Sequence, residues 1–260
     1  MSQPTKIPWE GSAPSEAVEL LSAPGGLIVC ATKVGYILMA SDGSGLERKF
    51  SAKQRNRTKP GVVLCASIEQ LKELAQLNDE VLAFYEKHWN DDILLGCILP
   101  WKEEAFKQLP DDTIRELASD TRGTSCFVIK FGRPAEQIAA TLWERDRTIV
   151  FASSANPSGV GNRGRVANIG ERIENEADII VTADDYVASI QPDKDEDSRH
   201  EQGVMVSMVD AEGALVPAQN GERLTEPCPV LIRKGLDYDK IMVHLAESFP
   251  SWNYRQGDYY

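Results

Sequence analysis

Six basic side chains lie within the twelve residues from Arg48 to Lys59, although the whole protein carries a formal net charge of -12. Cations concentrated in an acidic protein are typical of an anion site, since lysine acts as a point charge and arginine as a bidentate fork toward phosphate or carboxylate. The alternative is a solvated helix face followed by a loop. The six residues are Arg48, Lys49, Lys53, Arg55, Arg57 and Lys59.

A second polar segment, residues 152–159, directly follows the apolar run from Thr148 to Phe151. It reads Ala-Ser-Ser-Ala-Asn-Pro-Ser-Gly, and small hydroxyl and amide side chains at a strand end let backbone N–H groups approach a phosphate closely. An ordinary polar turn is the alternative. Together with Lys53 and Arg55 from another element, this segment predicts an anion site.

The elements that position these segments are predicted to form an α/β fold, because short apolar runs alternate with stretches of helical periodicity. We expect a flexible N-terminal segment over 1–14, one domain over 15–245, an acidic loop over 193–201 and an aromatic C-terminal tail over 246–260 that docks on protein. Strands are predicted at 26–31, 61–65, 93–99, 126–131, 148–152, 179–182, 204–209 and 230–232, and helices at 15–22, 68–75, 79–88, 135–145 and 166–176.

Composition excludes several classes of function. The 260 residues are 42% hydrophobic, enough for a sizeable core, but no apolar run approaches the length of a membrane span. The acidic balance argues against nucleic-acid binding over the whole surface. Five cysteines without paired spacing are interpreted as reduced thiols of a cytoplasmic protein, and three scattered histidines predict no metal site.

Several segments, in this order along the chain, resemble motifs of one known family. They are Ala31 to Leu38, Lys53-Gln54-Arg55 followed by Lys59-Pro60, Ser154-Ala155-Asn156-Pro157-Ser158-Gly159, Gly203 to Asp210, and Ile232 to Gly235. The family is that of the YrdC-like domains, which includes threonylcarbamoyl-AMP synthase, an enzyme of tRNA modification. The resemblance runs through most of the chain and implies a single α/β domain with a twisted mixed sheet around a large concave cavity.

The departures from the family pattern concentrate on the amino-acid side of its pocket. Where the family has proline, threonine and glycine, this chain has Ala31, Val34 and Ile37. The family's arginine after a later strand is replaced by Lys130, unless Arg133 takes its place, and its serine in a late Ser-Thr pair is Val206. The resemblance therefore indicates a divergent member whose substrate is left open.

The implied reaction joins ATP, bicarbonate and an amino acid into a carbamoyl adenylate with release of pyrophosphate, and Mg2+ bridges the phosphates. Catalysis by this route is positioning and charge stabilisation, without a covalent nucleophile. By resemblance, Lys53, Arg55, Ser154 and Asn156 are the expected catalytic residues. These four also bind ATP, with Lys59, Ser207 and Arg233. Thr32, Tyr36, Lys130 and Arg133 are expected to bind the amino acid, although Tyr36, followed by Ile37, Leu38 and Met39, also fits a place in the core.

Two further hypotheses stay open at this stage. The chain could be a catalytically weakened relative that binds a nucleotide or RNA through residues 48–59, in which case its affinity would depend on salt without pyrophosphate release. Alternatively, the product could be passed on within a larger assembly of tRNA-modification or biosynthetic proteins, with the aromatic tail as the docking element.

Overall fold

One mixed β-sheet organises the computed structural model, which describes residues 4–54, 60–157 and 160–253. Within these residues the sheet has ten strands in the order β1-β8-β2-β3-β7-β4-β6-β5-β9-β10. The strands are β1 Thr5–Pro8, β2 Ile28–Thr32, β3 Gly35–Ala40, β4 Val62–Leu64, β5 Leu95–Pro100, β6 Thr124–Ile129, β7 Val150–Ser154, β8 Ile179–Thr182, β9 Val204–Ser207 and β10 Val230–Arg233. Parallel and antiparallel pairs both occur, so the predicted α/β fold with a mixed sheet is confirmed.

The helices pack on both faces of the sheet. They are α1 Ser15–Ser22, α2 Gly43–Lys53, α3 Ile68–Leu74, α4 Asp79–Asn90, α5 Glu103–Lys107, α6 Asp112–Ala118, α7 Arg133–Asp146, α8 Glu171–Glu176, α9 Asp184–Ile190 and α10 Tyr238–Ser248, with a short 3-10 turn at Val166–Asn168. A large apolar cluster, which includes Leu38 and Phe151, lies on one face, and a second, which includes Met39 and Ala152, lies on the other. Consecutive strand residues alternate between the two faces.

Local capping fixes where the helix nearest the candidate site begins and ends. The Asp42 side chain accepts a hydrogen bond of 2.7 Å from the Gly45 N–H at the start of α2. At the other end, Gln54 adopts a left-handed conformation with φ of 48°. This places Lys53 in the last turn of α2, while Ser154 is the last residue of β7.

The N-terminal segment, which the sequence predicted to be flexible, contains a strand. Thr5–Pro8 is strand β1 and pairs in parallel with β8, and Ile7 packs against the apolar cluster around Met39. At the other end of the chain, α10 continues past the predicted boundary at 245, to Ser248. Asn253 then pairs with Val230, and residues 254–260 of the predicted tail lie outside the described residues.

The predicted strands and helices all have counterparts, with ends that shift by a few residues and with the helix at 166–176 divided into a 3-10 turn and α8. Strands β1 and β3 and helices α2, α5, α6, α9 and α10 were not predicted from the pattern. In β3 the residues from Gly35 to Ala40 are almost all buried, so no alternation of polar and apolar residues marks the strand. Among the described helices, none is long and apolar enough to cross a membrane.

Candidate functional site

A cavity of about 150 Å³ opens on one face of the sheet, where six adjacent strands each contribute one residue to its floor. The floor residues are Ile37 of β3, Ala152 of β7, Val62 of β4, Val128 of β6, Gly96 of β5 and Met205 of β9. Strand register aligns them, since Val62 pairs with Ala152 and Gly96 pairs with both Val128 and Met205. A Cβ at Gly96 would lie 2.9 Å from the Cys126 sulfur, so glycine keeps this part of the floor open.

The walls of the cavity are mainly apolar as well. Val34, Leu64, Leu94, Cys126, Phe131 and Val204 line it. Burial raises the pKa of the Cys126 thiol to about 12, so this sulfur is a neutral part of the wall. The other cysteines are also unpaired in the structure, and burial is the main cause of the raised pKa of each.

Polar side chains lie where the cavity meets solvent. We call Ser154, Glu201, Gln202 and Arg233 the rim; the first three are exposed and Arg233 is half-buried. The Nε of Arg233 donates to the Gly203 carbonyl at 3.1 Å. One oxygen of Glu201 accepts a hydrogen bond from the Arg163 N–H.

Thr32 and Tyr36, both predicted to bind the amino acid, line the inner wall but have internal partners. The Thr32 hydroxyl donates to the Gly35 carbonyl at 2.7 Å and closes the turn between β2 and β3. The Tyr36 hydroxyl donates to Asp184 and accepts from the Ala183 N–H at 2.8 Å. Burial raises the pKa of Tyr36 far above its ordinary value, so the phenol stays neutral.

Lys53 joins the two segments that the sequence singled out. Its Nζ donates to the Ser154 carbonyl and also lies 2.9 Å from the Ser154 hydroxyl. A lysine from the last turn of α2 thus reaches the last residue of β7, which lines the cavity rim. Asn156, two residues on, is half-buried, and its amide donates to the Pro157 carbonyl at 3.0 Å and to the Val160 carbonyl.

The other residues of the basic cluster do not share one environment. Arg48 forms a two-pronged ion pair with Asp178, at 2.7 and 3.0 Å, and ties α2 to the residue before β8. Lys49 is only 2% exposed within the core. Neither residue lines the cavity, so these two cations do not take part in an anion site there. Arg55, Arg57 and Lys59 lie outside the described residues.

Lys130 and Arg133 do not line the cavity. Lys130 lies 4.1 Å from the centre of the Trp89 ring and 3.6 Å from the Asp92 carboxylate. Asp92 also forms an ion pair of 2.9 Å with the buried Lys33. Arg133 begins α7 with an exposed side chain, and its N–H donates to the Tyr186 hydroxyl at 3.0 Å. Their expected role as direct partners of the substrate in this cavity is therefore not supported.

Ser207 is likewise absent from the cavity lining. It is the last residue of β9, is 7% exposed, and donates to the Val209 carbonyl at 3.3 Å. Its hydroxyl stabilises the turn after the strand, not a ligand in the cavity.

Sequence reasoning missed the two features that most define the cavity, its apolar floor and Glu201. The floor residues come from strands far apart in sequence, and only the strand order brings them together. Glu201 belongs to the acidic loop, where carboxylates ordinarily face solvent. The glycine two residues later, Gly203, could have signalled a close approach, since a Cβ there would lie 2.8 Å from Leu94.

Comparisons with known proteins agree with this architecture. The Sua5/YciO/YrdC family model, described as Telomere recombination, matches residues 21–194. The crystal structure of the hypothetical protein smu.1377c from Streptococcus mutans UA159 is 60% identical, with a TM-score of 0.95, and the alignment covers 99% of this chain and 100% of that one. No curated protein matches the chain.

More distant structures share the fold. E. coli YciO is 20% identical with a TM-score of 0.62, over 91% of this chain and 97% of that one. P. abyssi Sua5 complexed with L-threonine is 20% identical with a TM-score of 0.61, over 97% of this chain and 63% of that one. The present chain thus spans less than two thirds of the Sua5 chain.

Proposed function

Because this chain belongs to the Sua5/YciO/YrdC family, we propose that it forms a carbamoyl adenylate from ATP, bicarbonate and an amino acid, with release of pyrophosphate. The amine of the amino acid adds to the carbon of bicarbonate and water leaves, which gives a carbamate. A carbamate oxygen then forms a bond to the α-phosphorus of ATP, and the bond from that phosphorus to the pyrophosphate oxygen breaks.

The contact between Lys53 and Ser154 is the observation that carries this proposal. It joins the Lys-x-Arg segment to the Ser-Ala-Asn segment at the cavity rim. Negative charge grows on the leaving pyrophosphate as the reaction proceeds, so a fixed cation and hydroxyl at this position stabilise the transition state. No covalent nucleophile is required, and the buried, neutral cysteines take no part.

The remaining groups are assigned by the family resemblance. Arg55 and Lys59, which follow Lys53 in sequence, would complete the phosphate contacts. Mg2+ would enter as its ATP complex, because phosphate oxygens are its preferred ligands. Among the described residues, no three His, Cys, Asp or Glu side chains are grouped to hold a metal. The P. abyssi Sua5 structure contains L-threonine, which supports an amino acid as the second substrate.

Pyrophosphate release tests the proposal directly. The protein would be incubated with ATP, Mg2+ and each common amino acid, with and without bicarbonate, and active mixtures would be analysed by mass spectrometry for the carbamoyl adenylate. We expect release that depends on both bicarbonate and one amino acid. Absence of release with every amino acid at saturating ATP would overturn the proposed reaction.

A second candidate, nucleotide or RNA binding without turnover, is favoured by one observation. Lys33 and Lys130, the cations beside the wall residue Phe131, both contact Asp92, and neither lines the cavity. An RNA-binding protein would lose affinity steeply as salt is raised and would release no pyrophosphate. Titration of labelled tRNA at two salt concentrations, beside the turnover assay, separates the two functions.

A further inference from the structure

We infer that the cavity holds the side chain of an apolar α-amino acid, with Glu201 and Arg233 at the rim as partners for its amino and carboxylate groups. This inference rests on the proposed function and names its substrate class. It also assigns Arg233 to the amino acid instead of to ATP.

The floor and walls select an apolar side chain. Apart from the glycine, every floor residue is aliphatic or methionine, and the walls add leucines, valines and Phe131. The hydroxyl of Thr32 already donates to Gly35 and accepts from the Val34 N–H at 3.3 Å. Ser153 also lines the cavity and its buried hydroxyl has no partner among the described residues, but its side chain alternates with that of Ala152 along β7 and so faces the other side of the sheet. A substrate hydroxyl in this space would therefore lose water without gaining a well-placed partner, which is costly. An apolar group, by contrast, gains from burial.

The volume sets an upper size. A cavity of about 150 Å³ is the size that holds benzene in an engineered apolar core, roughly 150 Å³. Leucine, isoleucine, methionine and phenylalanine side chains fit this limit. Tryptophan exceeds it, and alanine leaves most of it empty.

The rim carries one charge of each sign. Among the described residues, neither Glu201 nor Arg233 takes part in an ion pair; their hydrogen bonds go to the Arg163 N–H and the Gly203 carbonyl. Both charges are therefore available to a ligand. A zwitterion above an apolar space matches them, because ammonium and carboxylate groups form their strongest hydrogen bonds with charged partners.

The position of Glu201 is fixed by a neighbouring glycine. A Cβ at Gly161 would lie 2.0 Å from either oxygen of Glu201, so only glycine lets the carboxylate approach the loop that follows β7. The strand before this loop ends at Ser154, and Ser154 and Glu201 line the same cavity, so the carboxylate shares the rim with the segment assigned to phosphate. The amine that must react would thereby lie near the nucleotide.

Amino-acid preference is the first test. We would measure pyrophosphate release and, independently of turnover, calorimetric binding of L-leucine, L-phenylalanine and L-threonine in the presence of an ATP analogue with an uncleavable α,β-bridge. We expect the better of the two apolar amino acids to exceed L-threonine by about 10-fold or more in affinity and in kcat/KM, the scale of discrimination by an apolar pocket. Equal or tighter binding of L-threonine would overturn the inference.

Filling the cavity is the second test. Val128→Phe places a ring into the floor from a half-buried position, and Ile37→Phe does so from another strand. We expect either folded variant to weaken L-leucine binding by about 10-fold or more while binding of the ATP analogue stays within about 3-fold. Val243→Phe is the matched control, since Val243 lies on α10 and is 56% exposed. Unchanged L-leucine affinity in both folded cavity variants would contradict the inference.

The charge at Glu201 is tested by Glu201→Gln, whose amide oxygen can still accept from the Arg163 N–H. The probes are L-leucine and 4-methylpentanoate, which lacks the amino group. We expect the wild type to bind L-leucine more tightly than 4-methylpentanoate. In the variant the ratio of the two affinities should fall by about 10-fold or more, as when a charged hydrogen bond is removed. Glu196→Gln is the control, because it removes a charge from the same acidic loop, where Glu196 lies 2.6 Å from Arg165, and it should keep the preference.

The outcomes separate this inference from the proposed function. Tight, rim-dependent binding of L-leucine without pyrophosphate release would support the cavity assignment and overturn the reaction. Bicarbonate-dependent pyrophosphate release with L-threonine in preference to L-leucine would support the reaction and overturn the cavity assignment. An unchanged preference for L-leucine over 4-methylpentanoate in Glu201→Gln would overturn the role of that carboxylate.

Discussion

Replacing Lys53 with methionine removes the charge from the candidate site and keeps most of the side-chain length. The Nζ of Lys53 lies 2.9 Å from the Ser154 hydroxyl at the cavity rim. A unit charge about 4 Å away, at an effective dielectric constant of about 20, interacts with this cation by about 4 kcal/mol. Lys53 is only half-buried, so solvent reduces that value. We therefore expect a fall in kcat/KM of about 10²-fold, or about 2.7 kcal/mol.

The fold should tolerate this change, because a polar contact at the surface contributes less than about 1 kcal/mol to stability. Pyrophosphate release would be measured at saturating amino acid and bicarbonate with ATP varied, and thermal unfolding would be measured in parallel. Arg172→Met is the matched control: Arg172 donates to the Ser51 carbonyl in the last turns of the same helix but is absent from the cavity lining. A folded Lys53→Met enzyme within about 3-fold of wild type would refute the electrostatic argument.

Three further predictions concern the surrounding structure. Tyr36→Phe should lower the free energy of unfolding by about 1–2 kcal/mol, because the Ala183 N–H loses its acceptor. It should leave the KM for the amino acid within about 2-fold. Urea denaturation and steady-state kinetics measure the two effects, and a large rise in KM would show that Tyr36 contacts the substrate. Burial is the main cause that lowers the pKa of His88 from 6.5 to about 4; the hydrogen bond with the Phe84 carbonyl opposes this shift, and His244 and Lys87 lower the pKa while Asp91 raises it. As pH falls, His88 is protonated in the unfolded chain before it is protonated in the folded protein, so about 3 kcal/mol of stability should be lost between pH 6.5 and pH 4. Urea titrations at several pH values should show a weaker dependence of the unfolding free energy on pH for His88→Gln than for the wild type. The same dependence in both proteins would contradict the assignment. Deleting residues 251–260 removes the backbone hydrogen bonds of Asn253 with Leu231 and Pro229 and the hydrogen bonds of Ser251 with Gln219, Glu222 and Thr225. The deletion should lower Tm by about 2–4 °C in a thermal melt, whereas an unchanged Tm would show that these contacts do not contribute.

The sequence alone located the two segments that meet at the rim but could not divide the basic cluster. Arg48, Lys49 and Lys53 are equivalent in a count of charges. Their positions on α2 send Arg48 to Asp178, bury Lys49 and bring only Lys53 to Ser154. A helix was only the alternative interpretation of this cluster, without bounds, so its faces were unknown, and the partner Asp178 is 130 residues away in the chain.

The fold was predictable to the extent that each strand could be recognised from its own residues. Apolar runs marked β2, β5 and β7 because the sheet is buried on both faces there. Strand β1 contains Lys6 and Pro8 and is mostly exposed, so it lacks that signal and forms through its pairing with β8. The order of the strands, which creates the cavity floor, depends on long-range contacts that no local pattern contains.

Two departures from the family pattern gain a physical meaning from the cavity. The chain has Val34 and Ile37 where the family has threonine and glycine, and both side chains line the same apolar space. Valine has the shape of threonine but offers no hydroxyl, and isoleucine adds apolar surface where glycine has none. Simple decay of the site does not explain why Lys53 stays in contact with Ser154 while both substitutions in the cavity lining, Val34 and Ile37, act in the apolar direction. The pattern instead fits a site that keeps its phosphate contacts, Lys53 and Ser154, and has altered the residues around the amino acid, Val34 and Ile37. Such a site would accept a different amino acid and carry out the same reaction.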